Sequence, residues 1–165
     1  MNLKEQTAAF LAEKRIAVVG VSRNSSTGTG NGILRALRDK GYEVFPVNPE
    51  ATRLEGVACY PDVGSIPGGV GAVIIVTRPE TAEAVMRDCV AYDIHHVWMH
   101  GNPMFGQATS SISAAATEYG RRHGLNVIDG ACPLMFVAGA DFGHRCMRWL
   151  LGVSGKLPKA DAVAA

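Results

Sequence analysis

KRIAVVGVSRNSSTGTGNGILRALRDKGYEVFPVNP, residues 14–49, is the stretch that decides the fold. It reads as a buried strand from Arg15 to Gly20, a glycine- and serine-rich loop from Val21 to Gly32, and an amphipathic helix from Ile33 to Lys40. A second strand, Tyr42 to Val47, ends in Asn48-Pro49. A strand that empties through such a loop into a helix start prepares an anion site. Free backbone N–H groups converge there, and the helix dipole favours negative charge. The stretch therefore predicts a phosphate-binding loop and a phosphorylated ligand.

The pattern departs from the dinucleotide fingerprint in two places. G-x-G-x-x-G needs a second glycine two residues after the first so that backbone can reach a pyrophosphate. Here Ser22 stands two residues after Gly20, and Gly28, Gly30 and Gly32 come too late for the short turn. The fingerprint also places an acid at the end of the second strand for the ribose 2′-OH. Asn48-Pro49 occupies that position, with Glu50 two residues on. A Rossmann-like turn that binds nothing is the plain alternative, since folds outnumber the functions carried on them.

Strands and helices alternate along the rest of the chain, which predicts a parallel sheet covered on both faces. Val57 to Tyr60 reads as an edge strand and Ala72 to Val76 as one buried on both sides. Thr77 and Glu80 have capping-box spacing, Pro79 suits a first turn, and Ala82, Val85, Met86, Cys89 and Val90 make one helical stripe. Ile94 to Met99 and Leu125 to Ile128 are the remaining strands. Gln107 to His123 reads as a helix stopped by Gly124. A last helix opens near Asp141 with the stripe Phe142, Cys146, Trp149 and Leu150, and from Gly152 on the tail reads as frayed.

The expected architecture is α/β: one three-layer domain over residues 1–151, a Rossmann-like doubly wound sheet of order 3-2-1-4-5-6. Ligands of such sheets sit at the carboxyl ends of the strands beside the reversal. That rule selects Gly20, Val21, Ser22, Arg23, Gly28 and Gly30 after the first strand, and Asn48, Pro49 and Arg53 after the second. After the fourth it selects Thr77, Arg78 and Pro79; His100 lies just past the next strand. Ser22 and Arg23 suit charge-assisted bonds to a phosphate, and Arg53 or Arg78 can supply further charge. Each could equally be an ordinary surface or turn residue.

Composition narrows the class. At 165 residues, with 47% apolar and 19% charged residues and a net charge of +1, the chain suits a soluble globular domain with no global field for nucleic acid or membrane. No apolar run approaches ~20 residues, and Met1 to Glu13 reads as an amphipathic helix rather than a signal peptide, so a cytoplasmic location is expected. Self-association is left open. Cysteines at 59, 89, 132 and 146 lack metal-like spacing, with Cys89 and Cys146 on apolar helix faces. His95 and His96, adjacent on a strand, point to opposite faces, and no H-x-x-x-H helix joins His100. His144, opening the last helix, reads as a local capping or packing residue. No Ser-His-Asp order or paired acids force catalysis.

Ile16 to Asn24, with the G-x-S-R turn, and Lys40 to Pro49, with Y-x-V-x-P-V-N-P, carry a resemblance to a known family. So do Leu54-Glu55-Gly56, Cys59-Tyr60-Pro61, Val73 to Thr77 with Pro79, and Val97-Trp98-Met99. Over roughly residues 10 to 135 the chain resembles the small single-domain CoA-binding proteins. These are related to the CoA-binding domain of the succinyl-CoA synthetase α subunit and of ADP-forming acyl-CoA synthetases. The resemblance implies a Rossmann-like domain that binds CoA or acyl-CoA with no demonstrated chemistry of its own. The family often carries lysines within the glycine loop and after Asn-Pro, where this chain has Thr27-Gly28 and Glu50. After Trp98-Met99 it tends to run Gln-x-Gly, where this chain has His100 to Phe105.

The leading expectation is a non-catalytic CoA carrier or sensor. The alternatives are an atypical NAD(P) oxidoreductase using Glu50 at the ribose, a CoA-linked enzyme using Cys132 or His100, and a phosphate-free interaction domain. Cys132, just past the last strand, could form a mixed disulfide with the CoA thiol; a structural cysteine is the simpler reading. A self-contained synthetase is not expected, because 165 residues leave no room for a domain carrying a phosphorylatable histidine.

Overall fold

The computed structural model describes residues 1–24, 26, 28–101 and 110–159. Thr27, residues 102–105 and Gln107, on which parts of the reading above fall, lie outside the described residues. The elements run α1 (Leu3–Ala12), β1 (Arg15–Val19), α2 (Thr29–Asp39), β2 (Glu43–Val47), β3 (Arg53–Leu54), β4 (Val57–Ala58) and β5 (Ala72–Ile75). There follow α3 (Pro79–Ala91), β6 (His96–Met99), α4 (Ala114–Arg122), β7 (Asn126–Asp129) and α5 (Phe142–Val153), with 3₁₀ turns at Val63–Ser65 and Pro133–Met135.

Five parallel strands form one sheet in the order β2-β1-β5-β6-β7. This is the doubly wound order expected, with the reversal between β1 and β5. The third strand of that order, expected at the edge over Val57 to Tyr60, is reduced. β3 and β4 form their own antiparallel hairpin, and only a bridge from Tyr60 to Val47 continues the main sheet. Pro46 fits within β2 because its missing N–H falls on the edge away from β1, where its carbonyl accepts from Tyr60 N–H.

Strand pleating sends alternate residues to two cores. Ile16, Val18, Ile74 and Trp98 point to the face covered by α1, α2 and the Pro133–Met135 turn, with Phe10, Leu34 and Leu37. Ala17, Val19, Val73, Ile75 and Val97 point to the face covered by α3 and α4, with Met86, Cys89 and Ala116. Trp98 is fully buried, and its indole N–H donates to Gly130 O at 2.8 Å.

Four local expectations need correction. α2 starts at Thr29, four residues before Ile33, because Gly28 serves as N-cap and Gly30 belongs to the first turn. Thr77 and Glu80 form no capping box: Pro79 holds Arg78 extended, so Arg78 becomes the N-cap, one position off that spacing. α4 begins at Ala114, capped by Ser113 onto Ala116 N–H, so Ser110 to Ser113 are not helical. In α5 the side turned inward carries Met147 and Leu151. The expected core stripe is exposed, Phe142 by 83% and Trp149 by 67%, and Cys146 with it. Two apolar stripes run along that helix, and periodicity alone does not say which one meets the core.

Candidate functional site

Gly20 ends β1 with φ +97°, and a Cβ there would lie 2.8 Å from the Val76 carbonyl. No other residue lets the chain turn so close to β5. At Gly30 a Cβ would sit 3.1 Å from Gly20 O and 3.3 Å from Val21 Cα, so this glycine lets α2 seat directly on the loop it follows.

The loop between them is held by Asn31, which is fully buried. Its carboxamide accepts from Ser22 N–H at 2.9 Å and donates to Ser22 O at 2.9 Å and to Glu55 Oε1 at 2.7 Å. A Cβ at Gly28 would run into that carboxamide. Glu55 Oε1 also accepts from Arg35 Nη1 at 2.9 Å, and Arg38 Nη1 donates to Glu55 O at 3.0 Å. The Asn31 hydrogen bond, aided by Arg35, holds the Glu55 carboxyl below the usual carboxylate range. Glu55 and Gly56 both have positive φ, +51° and +80°, which gives the two-residue turn joining β3 to β4. The hairpin is thereby tied to α2 and, through Asn31, to the Ser22 turn.

Asn48 makes the second tie. Its Nδ2 donates to Val21 O at 2.8 Å, while its Oδ1 accepts from Glu50 N–H at 2.8 Å. Arg23 Nη2 and Glu50 Oε2 form a 2.8 Å ion pair between exposed side chains. Arg53 Nη2 donates to Gly56 O at 3.0 Å within the hairpin. Arg78 is exposed at the start of α3. His100 is buried, and its N–H continues the sheet by donating to Ile75 O at 2.9 Å.

These ties bring Gly20 to Arg23, Gly28, Gly30 and Asn48-Pro49 together at the carboxyl edge, with Thr77 to Pro79 and His100 following the next two strands. Arg53 lies further out. Side chains of Asn2, Ser113 and Asp141 cap α1, α4 and α5, whereas Gly28 and Arg78, the N-cap residues of α2 and α3 beside the reversal, make no side-chain cap. Asn31 and Glu55 were not among the expected site residues. The signal for them is a polar, poorly helix-forming residue between two glycines and an acid before a hairpin glycine.

A cleft of about 720 Å³ opens beside this edge between α2 and α5. Thr29, Gly32, Ile33 and Ala36 form one wall at helical spacing, and Leu134, Met147 and the His144–Asp141 pair lie opposite. Cys132 also lines it. Burial pushes that thiol up to about 11, so at neutral pH it is protonated, as suits a structural cysteine. Among the described residues no group of three or more His, Cys, Asp and Glu could hold a metal ion, and no helix is long and apolar enough to cross a membrane.

A Rossmann-like sheet with a locked turn after its first strand and a helix seated on it by glycines defines a nucleotide-type ligand domain. Residues 14–138 match the family described as the CoA binding domain, and the chain belongs to that family. It is 28% identical over 121 residues to ADP-forming acetate–CoA ligase I of Archaeoglobus fulgidus. That match covers 72% of this chain but 18% of the ligase, so the chain spans under a fifth of that relative. It is 33% identical over 85 residues to the uncharacterized protein YneT of Bacillus subtilis, 52% of this chain and 62% of that one. A hypothetical protein from Pyrococcus horikoshii shares the fold with TM-score 0.69 and 24% identity, over 79% of this chain and 86% of that one.

Proposed function

We propose that the chain binds CoA, free or acylated, across the carboxyl edge of its sheet and acts as a carrier or sensor without chemistry of its own. The observation that carries this reading is the Asn31-locked turn from Gly20 to Arg23 beside the first turn of α2, whose N-cap is the glycine Gly28. Backbone N–H groups in the first turn of α2 meet the pyrophosphate, since the Ser22 N–H of the turn is already given to Asn31. Ser22 and Arg23 add polar and cationic contacts, Thr77 to Pro79 wall one flank, and Asn48-Pro49 with Arg53 and Arg78 flank the adenosine. The protein works in the cytoplasm on this reading.

A second reading is favoured by the acetate–CoA ligase relative: the same site presents CoA to a catalytic partner as one domain of a CoA-linked enzyme. A nicotinamide reading has less support, because Glu50, the acid it needs at the ribose, is paired with Arg23.

Thermal unfolding with CoA, NAD and NADP at matched concentrations tests the ligand. A ligand at about 100 times its Kd adds about 2.7 kcal/mol, which for a chain of this size raises Tm by roughly 5–10 °C. CoA is expected to protect most, and equal or greater protection by NAD or NADP would overturn the reading. Loss of acetyl-CoA thioester in the presence of the protein alone would overturn the non-catalytic part.

A further inference from the structure

We propose that the outward face of α5 is a self-association surface, on which a second copy of this chain lays its own α5 antiparallel.

The core takes Met147 and Leu151 from α5 and leaves the opposite side of the helix bare. On that side stand Phe142, Cys146, Trp149 and Val153, spaced four, three and four residues apart. This is the a/d spacing of a coiled-coil seam. At 3.6 residues per turn the four fall within about 60° of arc, a narrow stripe rather than scattered surface residues. Phe142, Trp149 and Val153 are 83%, 67% and 70% exposed, and Cys146 is exposed with them. A helix this short would not hold a coiled coil alone. Here the Asp141 cap and the two core residues have already formed it, so docking orders no backbone.

The occupant follows from the spacing. Four-three-four reads the same from either end, so a two-fold axis at the level between Met147 and Arg148 lays the stripe on itself. Phe142 of each copy then meets Val153 of the other, and Cys146 meets Trp149. The flanks match under the same axis. Arg145 comes opposite Gly152, and Leu150 opposite Gly143, so each larger side chain faces a glycine. Beside Gly152 the surface is already hollowed, over about 520 Å³ lined by Trp149, Gly152, Val153, Leu157 and the two arginines Arg145 and Arg148. Phe142 of the other copy arrives at the level that fills this hollow.

Charge favours the same arrangement. Antiparallel helices oppose their dipoles, and Asp141 at the start of one lies level with the end of the other, where Lys156 follows. Arg148 is turned away, its guanidinium 5.0 Å over the Phe136 ring of its own domain. A parallel pairing would align the dipoles and set each side chain against its own counterpart.

The area fits a reversible dimer. At roughly 150–250 Å² per aromatic side chain, Phe142 and Trp149 present roughly 300 Å² per copy, which Leu150 and Val153 extend. With its flanks, the pair of copies buries roughly 1,000 Å², the lower end for a specific interface. A micromolar Kd is the expectation.

Sedimentation velocity of the full chain between about 1 and 300 µM reads the association directly. Wild type is expected to pass from one-chain to two-chain mass across that range. Phe142→Ala and Trp149→Ala, both at exposed positions, should weaken the dimer at least about tenfold, because a symmetric interface loses each side chain twice. Circular dichroism checks that both variants stay folded. In dilute solution the copies separate and the Cys146 thiol is open, so its reaction with a disulfide reagent should slow as concentration rises through the Kd. Orientation is read by cross-linking in a Cys146→Ser background. An oxidised mixture of the Arg145→Cys and Gly152→Cys proteins should give a disulfide-linked dimer that neither gives alone. One-chain mass at every concentration overturns the proposal. Binding of that monomer to vesicles of phosphatidylcholine and phosphatidylglycerol would assign the stripe to a lipid surface instead. A dimer that keeps its affinity in both alanine variants, or a mixture that gives no cross-link, overturns the proposal as well.

Discussion

Arg23 Nη2 lies 2.8 Å from Glu50 Oε2, joining the loop after β1 to the turn after β2 at the rim of the candidate site. Both side chains are about two-thirds exposed, 66% and 65%, so water screens the pair and its contribution to stability is small, about 0–1 kcal/mol. The acid that the nicotinamide reading needs at the ribose is thus engaged by the cation that the CoA reading needs at a phosphate.

Arg23→Ala should therefore leave urea unfolding nearly unchanged while weakening CoA. Loss of a charge-assisted hydrogen bond costs about 1.5–3 kcal/mol, at least a tenfold rise in Kd. Calorimetric titration of wild type and variant checks this. Unchanged affinity would remove Arg23 from the site and leave Arg53 or Arg78 as the phosphate partner.

Glu55 should give the protein an acid-sensitive element. Its side chain is 8% exposed and its pKa is lowered in the fold, first by Asn31 and then by Arg35. A lowered folded pKa means that the stabilisation is complete above the unfolded value, about 4.3, and is lost as pH falls through the folded value. Glu55→Gln keeps an acceptor for Asn31 and should flatten the fall in Tm below pH 4.5 relative to wild type. Glu55→Ala, which strands the buried Asn31 donor, should cost about 1–3 kcal/mol at pH 7. An acid limb in Glu55→Gln identical to that of wild type would show that other carboxylates dominate.

Two glycines two residues apart, Gly30 and Gly32, should respond with opposite signs. Gly30→Ala forces backbone against backbone at 3.1–3.3 Å and should lower stability by about 1–3 kcal/mol. Gly32→Ala has open space and a helical position, so it should raise stability by about 0.5–1 kcal/mol. Thermal melts of the two variants decide it, and equal effects would mean that α2 does not seat on the Gly20 turn as described.

Much of this was legible in the sequence because the signals were local. β1, β2 and β5 are apolar runs with few competing assignments, and right-handed crossovers then leave one economical order. Gly28 and Gly30 read as loop glycines, whereas Gly28 is the N-cap of α2 and Gly30 lies in its first turn. Their helical phase depends on how α2 seats on Gly20, a contact across ten residues. Asn31 and Glu55 meet across 24 residues through a turn with two positive φ values, which no spacing rule announces. In α5, Met147 and Leu151 face inward while Phe142 and Trp149, the larger apolar residues, face out. Size ranked the stripes wrongly because tertiary packing selects the inward face. The cleft was missed for the same reason, since its α5 wall is the face that the sequence reading passed over.

The thiols provide a check on that burial. Cys146 is exposed, whereas Cys59, Cys89 and Cys132 are buried, with burial raising Cys89 to about 12 and Cys132 to about 11. Thiolate is the reactive form. Native protein treated with an excess of a disulfide reagent at pH 8 should therefore release one equivalent quickly, with the other three following only in denaturant. A second fast equivalent would mean that one of the three buried thiols is open to solvent.

The 3′-phosphate of CoA offers the sharpest test of the rim. Glu50 holds Arg23, and on the proposed CoA reading it places a negative charge beside the adenosine flank. Glu50→Gln removes the repulsion and releases Arg23 together. At low salt it should tighten CoA by about twofold to fivefold, the scale of an exposed charge pair. Dephospho-CoA, which lacks the dianion, should gain less. Raising ionic strength from about 0.01 M to 0.15 M shortens the screening length from about 30 Å to 8 Å and should erase most of the difference. If CoA and dephospho-CoA gain equally, Glu50 acts only by holding Arg23 from the pyrophosphate. If neither gains, the rim does not face the ligand, and the adenosine would have to be sought away from Asn48 and Arg53.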